Sequence, residues 1–391
     1  MMKRILSIDI FRGLTIFMMV FVNDLAGVSD IPAWMKHVAA DVDGMTFVDV
    51  VFPAFLFIVG MSIPFAVARR QSQSSTWAFW QHILIRTIGL LVLGVYMVNA
   101  AEMNTEANLI PKQIWSPALY IAAVLIWNHY PKDAAGKKTN KTLLLQGVGV
   151  LILIALYFLY RKGEGDNLSG MTPSWWGILG LIGWAYLIAI SLFVLGQKNK
   201  LGLLITYALV TLLFLGIRAE VPLLANSWLG GQSGHLAHAL IVLSGTFCGL
   251  LIPQKVGKAD QVKGIGNMVI LGILLLIGGY LTDPLGGISK IGATPAWVFY
   301  CAGICALLYA FIYWLVDVQG VKNWANFLKP AGENPLLTYI VPPFFYGIVG
   351  FDYLPALLNT GLPGFLRAIV FSILVLVVAN GLSKKGVKLR L

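Results

Sequence analysis

Charge is what this sequence of 391 residues most lacks. Asp, Glu, Lys and Arg make up 12% of it, about half of the ~25% that keeps a soluble domain in solution. Cysteine is scarce as well. Cys248, Cys301 and Cys305 all fall inside apolar runs, which excludes a disulfide framework and leaves them as small buried hydrophobes. No dinucleotide-binding, P-loop or nucleophile-elbow motif occurs in a suitable context. No internal repeat is visible, and no loop is long enough for a soluble domain, so residues 1–391 read as a single unit. What is abundant is apolar: 58% of residues are hydrophobic and mean hydropathy is +0.80. These residues gather in runs of roughly 17–24, the length that carries a helix across a ~30 Å hydrocarbon core.

Twelve such runs give an all-α, polytopic membrane bundle of about twelve helices, at 5–27, 46–68, 79–100, 114–129, 142–160, 174–196, 201–217, 235–252, 264–282, 295–317, 333–350 and 363–382. The run at 114–129 is short and carries Pro117. The net charge of +11 does not point to nucleic acid, because the basic residues sit in short loops between the runs. One alternating set of loops holds 19 Lys and Arg and the other holds 6, with Arg12, Arg86 and Arg367 inside spans. By the positive-inside rule both termini face the cytoplasm. The opening MMKRILSID resembles the start of a signal peptide, but Asp9 and Arg12 interrupt the apolar stretch, so it reads as a retained first helix.

Ionisable groups inside a bilayer cost ~2.5–3.5 kcal/mol each on insertion scales and call for a reason. Asp9 and Arg12 are three apart, on one face of the first helix near its cytoplasmic end, and Arg86 lies a third of the way into the third span. Two readings stay open. Arg12 and Arg86 form a basic pocket for a cytosolic anion, or Arg12 pairs with Asp9 while Arg86 meets carbonyls or lipid headgroups.

The opposite face gathers Asn23, Asp24, Asp30, Lys36, His37, Asp41, Asp43 and Asp49 around one helix–loop–helix turn. A histidine with carboxylate neighbours is a competent general base, although a lone loop histidine is more often simply solvated. Asp49 is harder to explain away, since it enters the membrane with the second helix. His235 and His238, three apart, make a poor metal signal without a third ligand, and no metal is expected. Lys290 is the lone cation of its outer loop. Glu333 and Asn334 open a late span, where capping is the plain reading.

At these residues the sequence resembles the transmembrane acetyltransferases typified by lysosomal heparan-α-glucosaminide N-acetyltransferase and its bacterial relatives. The likeness is carried by SIDIFRGLTIFMMVFVND (Ser7–Asp24), KHVAADVDGMTFVDVVFPAFLFIVGMSIP (Lys36–Pro64) and RTIGLLVLGVYMVN (Arg86–Asn99), and is strongest over 5–99. Weaker echoes lie at ISKIGATPAW (Ile288–Trp297), YWLVDVQG (Tyr313–Gly320) and GENPLLTYI (Gly332–Ile340).

The resemblance implies transfer of an acetyl group from cytosolic acetyl-CoA to the amino or hydroxyl group of a sugar on the far side. It implies His37 as catalytic histidine with Asn23 as its partner and Asp49 as supporting acid. Arg12 and Arg86 would bind the coenzyme, and Asp43, Lys290 and Asn334 the acceptor. Partners are then membrane lipid and a small sugar, with no nucleic acid and with room for a homodimer, in a bacterial inner membrane.

Three departures stand out. Asp43 replaces the family's asparagine in a longer loop. Gly180 and Leu181 stand where the family has Gln-Arg. Two extra spans fill 114–160. A secondary transporter of a sugar or small anion, and a family member without catalysis, are the alternatives.

Overall fold

In the computed structural model the described residues are 5–131, 133, 137–197, 200–253, 257–349 and 355–390. Lys3, Arg4, Lys132, Lys198 and Lys255, which contribute to the charge asymmetry, lie outside them.

Each apolar run becomes a helix, because a backbone in lipid must satisfy its own polar groups. The long helices are α1 (Leu6–Leu25), α2 (Phe47–Gln71), α3 (Thr76–Ala101), α4 (Lys112–Trp127), α5 (Asn140–Leu159), α6 (Ile178–Gly196) and α7 (Lys200–Arg218). After the short α8 (Pro222–Ala225) come α9 (Ser233–Leu250), α10 (Lys258–Thr282) and α11 (Pro295–Tyr313). The short α12 (Lys329–Glu333), then α13 (Pro335–Val349) and α14 (Gly361–Lys384), complete the bundle. No β-strand occurs among the described residues; isolated bridges such as Ser29 to Thr360 and Asn128 to Leu389 only join loops.

The chain is thus a multi-pass helical membrane bundle. Among the described residues, 10 helices are long and apolar enough to cross a membrane. The other two of the twelve expected runs are shorter: α4 has 16 residues and α13 has 15. At 1.5 Å per residue, each falls below the ~30 Å of a full crossing. They pack on one another, with Gly347 of α13 against Ser116 and Pro117 of α4.

Helix α2 is the structural centre. It carries Pro53 and Pro64, and each lacks the N–H that would bond the carbonyl four residues earlier. Both freed carbonyls are met by other helices. The Trp297 indole N–H donates to the Asp49 carbonyl at 3.3 Å, and the Thr246 hydroxyl lies 3.2 Å from that of Gly60. Gly60 also sets the approach of α9: a Cβ there would stand 1.8 Å from the Val242 carbonyl oxygen. On the other side of the bundle, Asp317 accepts from the first N–H groups of α1, at Leu6 (3.3 Å) and Ser7 (3.0 Å). A carboxylate supplied from the opposite end of the sequence therefore caps that helix. Asp9, Arg12, Lys388 and Arg390 line one cavity, so the beginning of α1 and the segment after α14 sit at the same end of the bundle.

Candidate active site

Asp49 is the third residue of α2, and Thr46 is its N-cap. The Thr46 N–H donates to Asp49 Oδ2 at 3.0 Å, and Thr46 Oγ1 accepts from Val48 N–H at 3.2 Å, closing a capping box. The Thr46 hydroxyl donates to the Lys36 carbonyl at 2.8 Å, and Val38 N–H donates to Asp49 Oδ2 at 3.3 Å. These bonds fold 36–46 over the end of the helix and deliver the ring of His37 to the remaining oxygen: His37 Nδ1 lies 2.6 Å from Asp49 Oδ1.

Asp49 is 1% exposed and its Oδ2 accepts backbone N–H groups, which is the task of an ionised carboxylate. Nδ1 is therefore the nitrogen that donates to Asp49, and Nε2 is the one left for another partner. Lys290 Nζ is 3.1 Å from both ring nitrogens and 4.0 Å from Asp49 Oδ1. Burial lowers the Lys290 pKa, with the Asp49 charge pulling the other way. This cation therefore gives up a proton more readily than a free lysine.

The loop bearing Lys290 is fastened by Asp43. Its Oδ1 accepts from Ile288 N–H at 2.7 Å, and Gly44 N–H donates to the Ile288 carbonyl at 2.9 Å. Gly287, at φ +65°, lies so close that a Cβ would meet Asp43 Oδ1 at 2.8 Å, so a larger residue there would be strained and would push on Asp43. The structure thus joins His37, Asp49 and Lys290 in one cluster and gives Asp43 the task of holding the lysine loop. Asn23 is exposed near the end of α1. His238 donates from Nδ1 to the Gly234 carbonyl at 2.6 Å and lies edge-on to Trp297, behind Asp49. His235 packs 5.8 Å from Trp184.

The other end of the bundle holds two cavities. One, of about 270 Å³, runs between α1, α2, α3, α6 and α13. Arg70, His82, Arg86 and Arg390 border it towards that end, and Ile16, Val59, Leu90 and Ile182 form apolar walls. The Arg86 guanidinium lies 4.7 Å from the centre of the Tyr186 ring, and its Nε is buried with no hydrogen-bond partner among the described residues. The second cavity, of about 640 Å³, is lined by Asp9, Arg12, Arg69, Glu333, Asn334 and Lys388, among others.

Arg12 donates to Ser62 Oγ at 3.0 Å and the Gly332 carbonyl at 3.1 Å, and lies 3.4 Å from Asp9 Oδ1. Arg12 is thus paired with Asp9 and also borders the second cavity, whereas Arg86 borders the first, so the two arginines do not share one pocket. Asn334 lies at this end and not beside His37. Its carboxamide bonds Ser383 Oγ, the Val387 carbonyl and Leu389 N–H.

The sequence alone does not single out Arg70, His82 or Arg390 as site residues. Arg70 and Arg390 count there only as loop charges, and His82 lies inside an apolar run with no motif around it. The Gly180–Leu181 departure has a steric basis. A Cβ on Gly94 would stand 2.6 Å from the Gly180 nitrogen, and one on Gly180 would stand 2.5 Å from the Trp175 carbonyl. The Trp175 backbone just before α6 therefore leaves no room for a Cβ at 180, and α3 makes its own close approach to this point through Gly94.

The narrower cavity ends at Met19, Phe55 and Ile178. These pack against the cluster of Val22, Val48 and Val51 beneath the His37 loop. Phe55 is six residues from Asp49, about 9 Å along the helix. An apolar layer of that depth separates the cationic cavity from the histidine.

The family described as "Domain of unknown function (DUF5009)" matches residues 4–249. The chain belongs to this family. It is also related to heparan-α-glucosaminide N-acetyltransferase: it is 37% identical to the Homo sapiens protein over 98 residues and to the Mus musculus protein over 99. Each match covers 25% of this chain and 14% of the relative, so the chain corresponds to a small part of those proteins.

Proposed function

We propose that this DUF5009 protein is a transmembrane acyltransferase, moving an acetyl group from acetyl-CoA to the amino or hydroxyl group of a sugar on the opposite side of a bacterial inner membrane. The observation that carries the reading is the pairing of a His–Asp–Lys cluster at one end of the bundle with cation-lined cavities at the other. The relationship to an N-acetyltransferase supports it. On this reading both termini and the cationic cavities face the cytoplasm, in keeping with the distribution of Lys and Arg among the loops.

The donor's phosphates meet Arg12, Arg86 and their neighbours, and its acyl arm enters the apolar cavity. Delivery to His37 requires Met19, Phe55 and Ile178 to part, and the reading assigns them that movement. At the far side Lys290 swings off Nε2 and frees the lone pair. A neutral amine on the acceptor attacks the acyl carbon while Nε2 takes its proton. The C–S bond then breaks, and the same proton passes to the departing thiolate, giving the amide and free coenzyme. Asp49 holds the imidazolium through Nδ1. Lys290, displaced by a few ångströms, is placed to donate to the developing oxyanion. Asn23, the histidine's partner by the resemblance, is assigned a contact to the acceptor or the developing oxyanion.

Binding is tested by thermal unfolding of the purified protein in detergent. Coenzyme A at 100 times its Kd should add about 2.7 kcal/mol of stability, and Arg86→Ala should lower the affinity. No stabilisation by coenzyme A, together with stabilisation by free sugar, would instead describe a sugar carrier.

A further inference from the structure

The segment after α14 takes part in the molecule in a way that its sequence does not announce. Its backbone is tied on both sides. Asn334 bonds the Val387 carbonyl (3.0 Å) and Leu389 N–H (3.2 Å). Lys388 N–H donates to Asn128 Oδ1 (2.8 Å), and His129 N–H donates to the Lys388 carbonyl (2.8 Å). Arg390 N–H donates to the Trp127 carbonyl (2.9 Å). So thoroughly paired a segment is fixed in place.

The place matters, because Leu389 and Arg390 border both cavities and form part of the wall they share. The Arg and Lys residues lining the two cavities outnumber the acids by six to two. Among the described residues, Arg70, Lys388 and Arg390 form no ion pair. Crowded like charges destabilise the protein that carries them unless a polyanion joins them.

We infer that Val387–Arg390 is a built part of the donor site, with Arg390 binding the diphosphate that joins the nucleotide of coenzyme A to its pantetheine arm. This rests on the acyltransferase reading above. The larger, polar cavity suits the nucleotide with its 3′-phosphate beside Arg12, Arg69 and Lys388. The narrower, apolar cavity suits the pantetheine arm. The diphosphate then falls at the junction, where Arg390 stands. Asn334 acts at one remove, as the positioning residue that keeps the segment there.

The test is equilibrium binding to the purified full chain of three probes: coenzyme A, dephospho-coenzyme A, which lacks only the 3′-phosphate, and pantetheine, which lacks all phosphates. Arg390→Ala should weaken coenzyme A and dephospho-coenzyme A by the same factor, about tenfold for one charge-assisted contact, and leave pantetheine unchanged. Arg390→Lys should keep most of the affinity. Asn334→Ala, which removes no charge, should weaken the same two probes. Should Arg390→Ala be poorly folded, the affinity kept by Arg390→Lys and the affinity lost by Asn334→Ala decide the matter between them. Wild-type binding of coenzyme A that neither Arg390→Ala nor Asn334→Ala changes overturns this inference and leaves the acyltransferase reading standing. A wild-type protein that binds no coenzyme A overturns both.

Discussion

Replacing His37 by alanine is expected to lower kcat for acetyl transfer by about 10²–10⁴-fold, the usual contribution of a positioned general base, while coenzyme A still stabilises the protein. The two effects separate because His37 is 40% exposed at the end of the bundle away from Arg86. Asp49→Asn should fall in the same direction. It removes the charge that fixes the Nδ1–H tautomer and stabilises an imidazolium, while an amide oxygen can still accept from Thr46 N–H. Asp49→Ala adds a stability loss of about 1–3 kcal/mol, because the Thr46 and Val38 N–H groups lose their acceptor while Thr46 still caps α2. Rates and unfolding temperatures measured together distinguish the variants. A His37→Ala protein with wild-type kcat would remove the histidine from the chemistry.

The second large effect lies away from the reaction. Asp24, 1% exposed, accepts from Arg367 at 3.0 Å and from the Tyr346 hydroxyl at 2.8 Å, and Arg367 also bonds Asn359. This network ties α1 to α13, α14 and the loop before it. Asp24→Ala removes the buried carboxylate that accepts from Arg367 and Tyr346 and should destabilise the protein by about 3–5 kcal/mol. A double change, Asp24→Leu with Arg367→Leu, should recover much of that loss, because an apolar pair of similar volume avoids the desolvation cost. Thermal unfolding in detergent measures both. A double variant no more stable than Asp24→Ala would show that the attraction between the two side chains outweighs the cost of burying them.

Much of this architecture was legible in the apolar runs, since length and hydropathy alone decide what can lie in lipid. The run at 79–100 became Thr76–Ala101 and that at 46–68 became Phe47–Gln71. Helix α10 starts at Lys258, earlier than its apolar run, because a helix need not stop where lipid does. The count was less legible: α4 and α13 are helices, but hydropathy cannot say whether a short helix traverses the bilayer or leans on its neighbour.

At the site, Thr46-x-x-Asp49 could have been read as a capping box from sequence alone, which would have placed Asp49 at a helix start facing the Lys36–Thr46 loop. Pro53, four residues after Asp49, likewise announces a freed carbonyl in search of a donor. Its partner, Trp297, could not be named, because no local pattern reaches across 248 residues. Lys290 and Arg390 share that difficulty. Each is an ordinary loop cation by spacing: the resemblance marks Lys290 but not its contact with His37, and Arg390 acquires its meaning only from tertiary contact.

The central claim is that one chain joins a donor at the cationic end to an acceptor at the His37 end. It is tested most directly in sealed vesicles carrying the purified protein, with labelled acetyl-CoA outside only and glucosamine inside only. Labelled N-acetylglucosamine should accumulate in the lumen, and not with the His37→Ala protein. Product that forms only when both compounds share one side of the membrane would contradict the account, and would mean that the layer at Met19, Phe55 and Ile178 never opens.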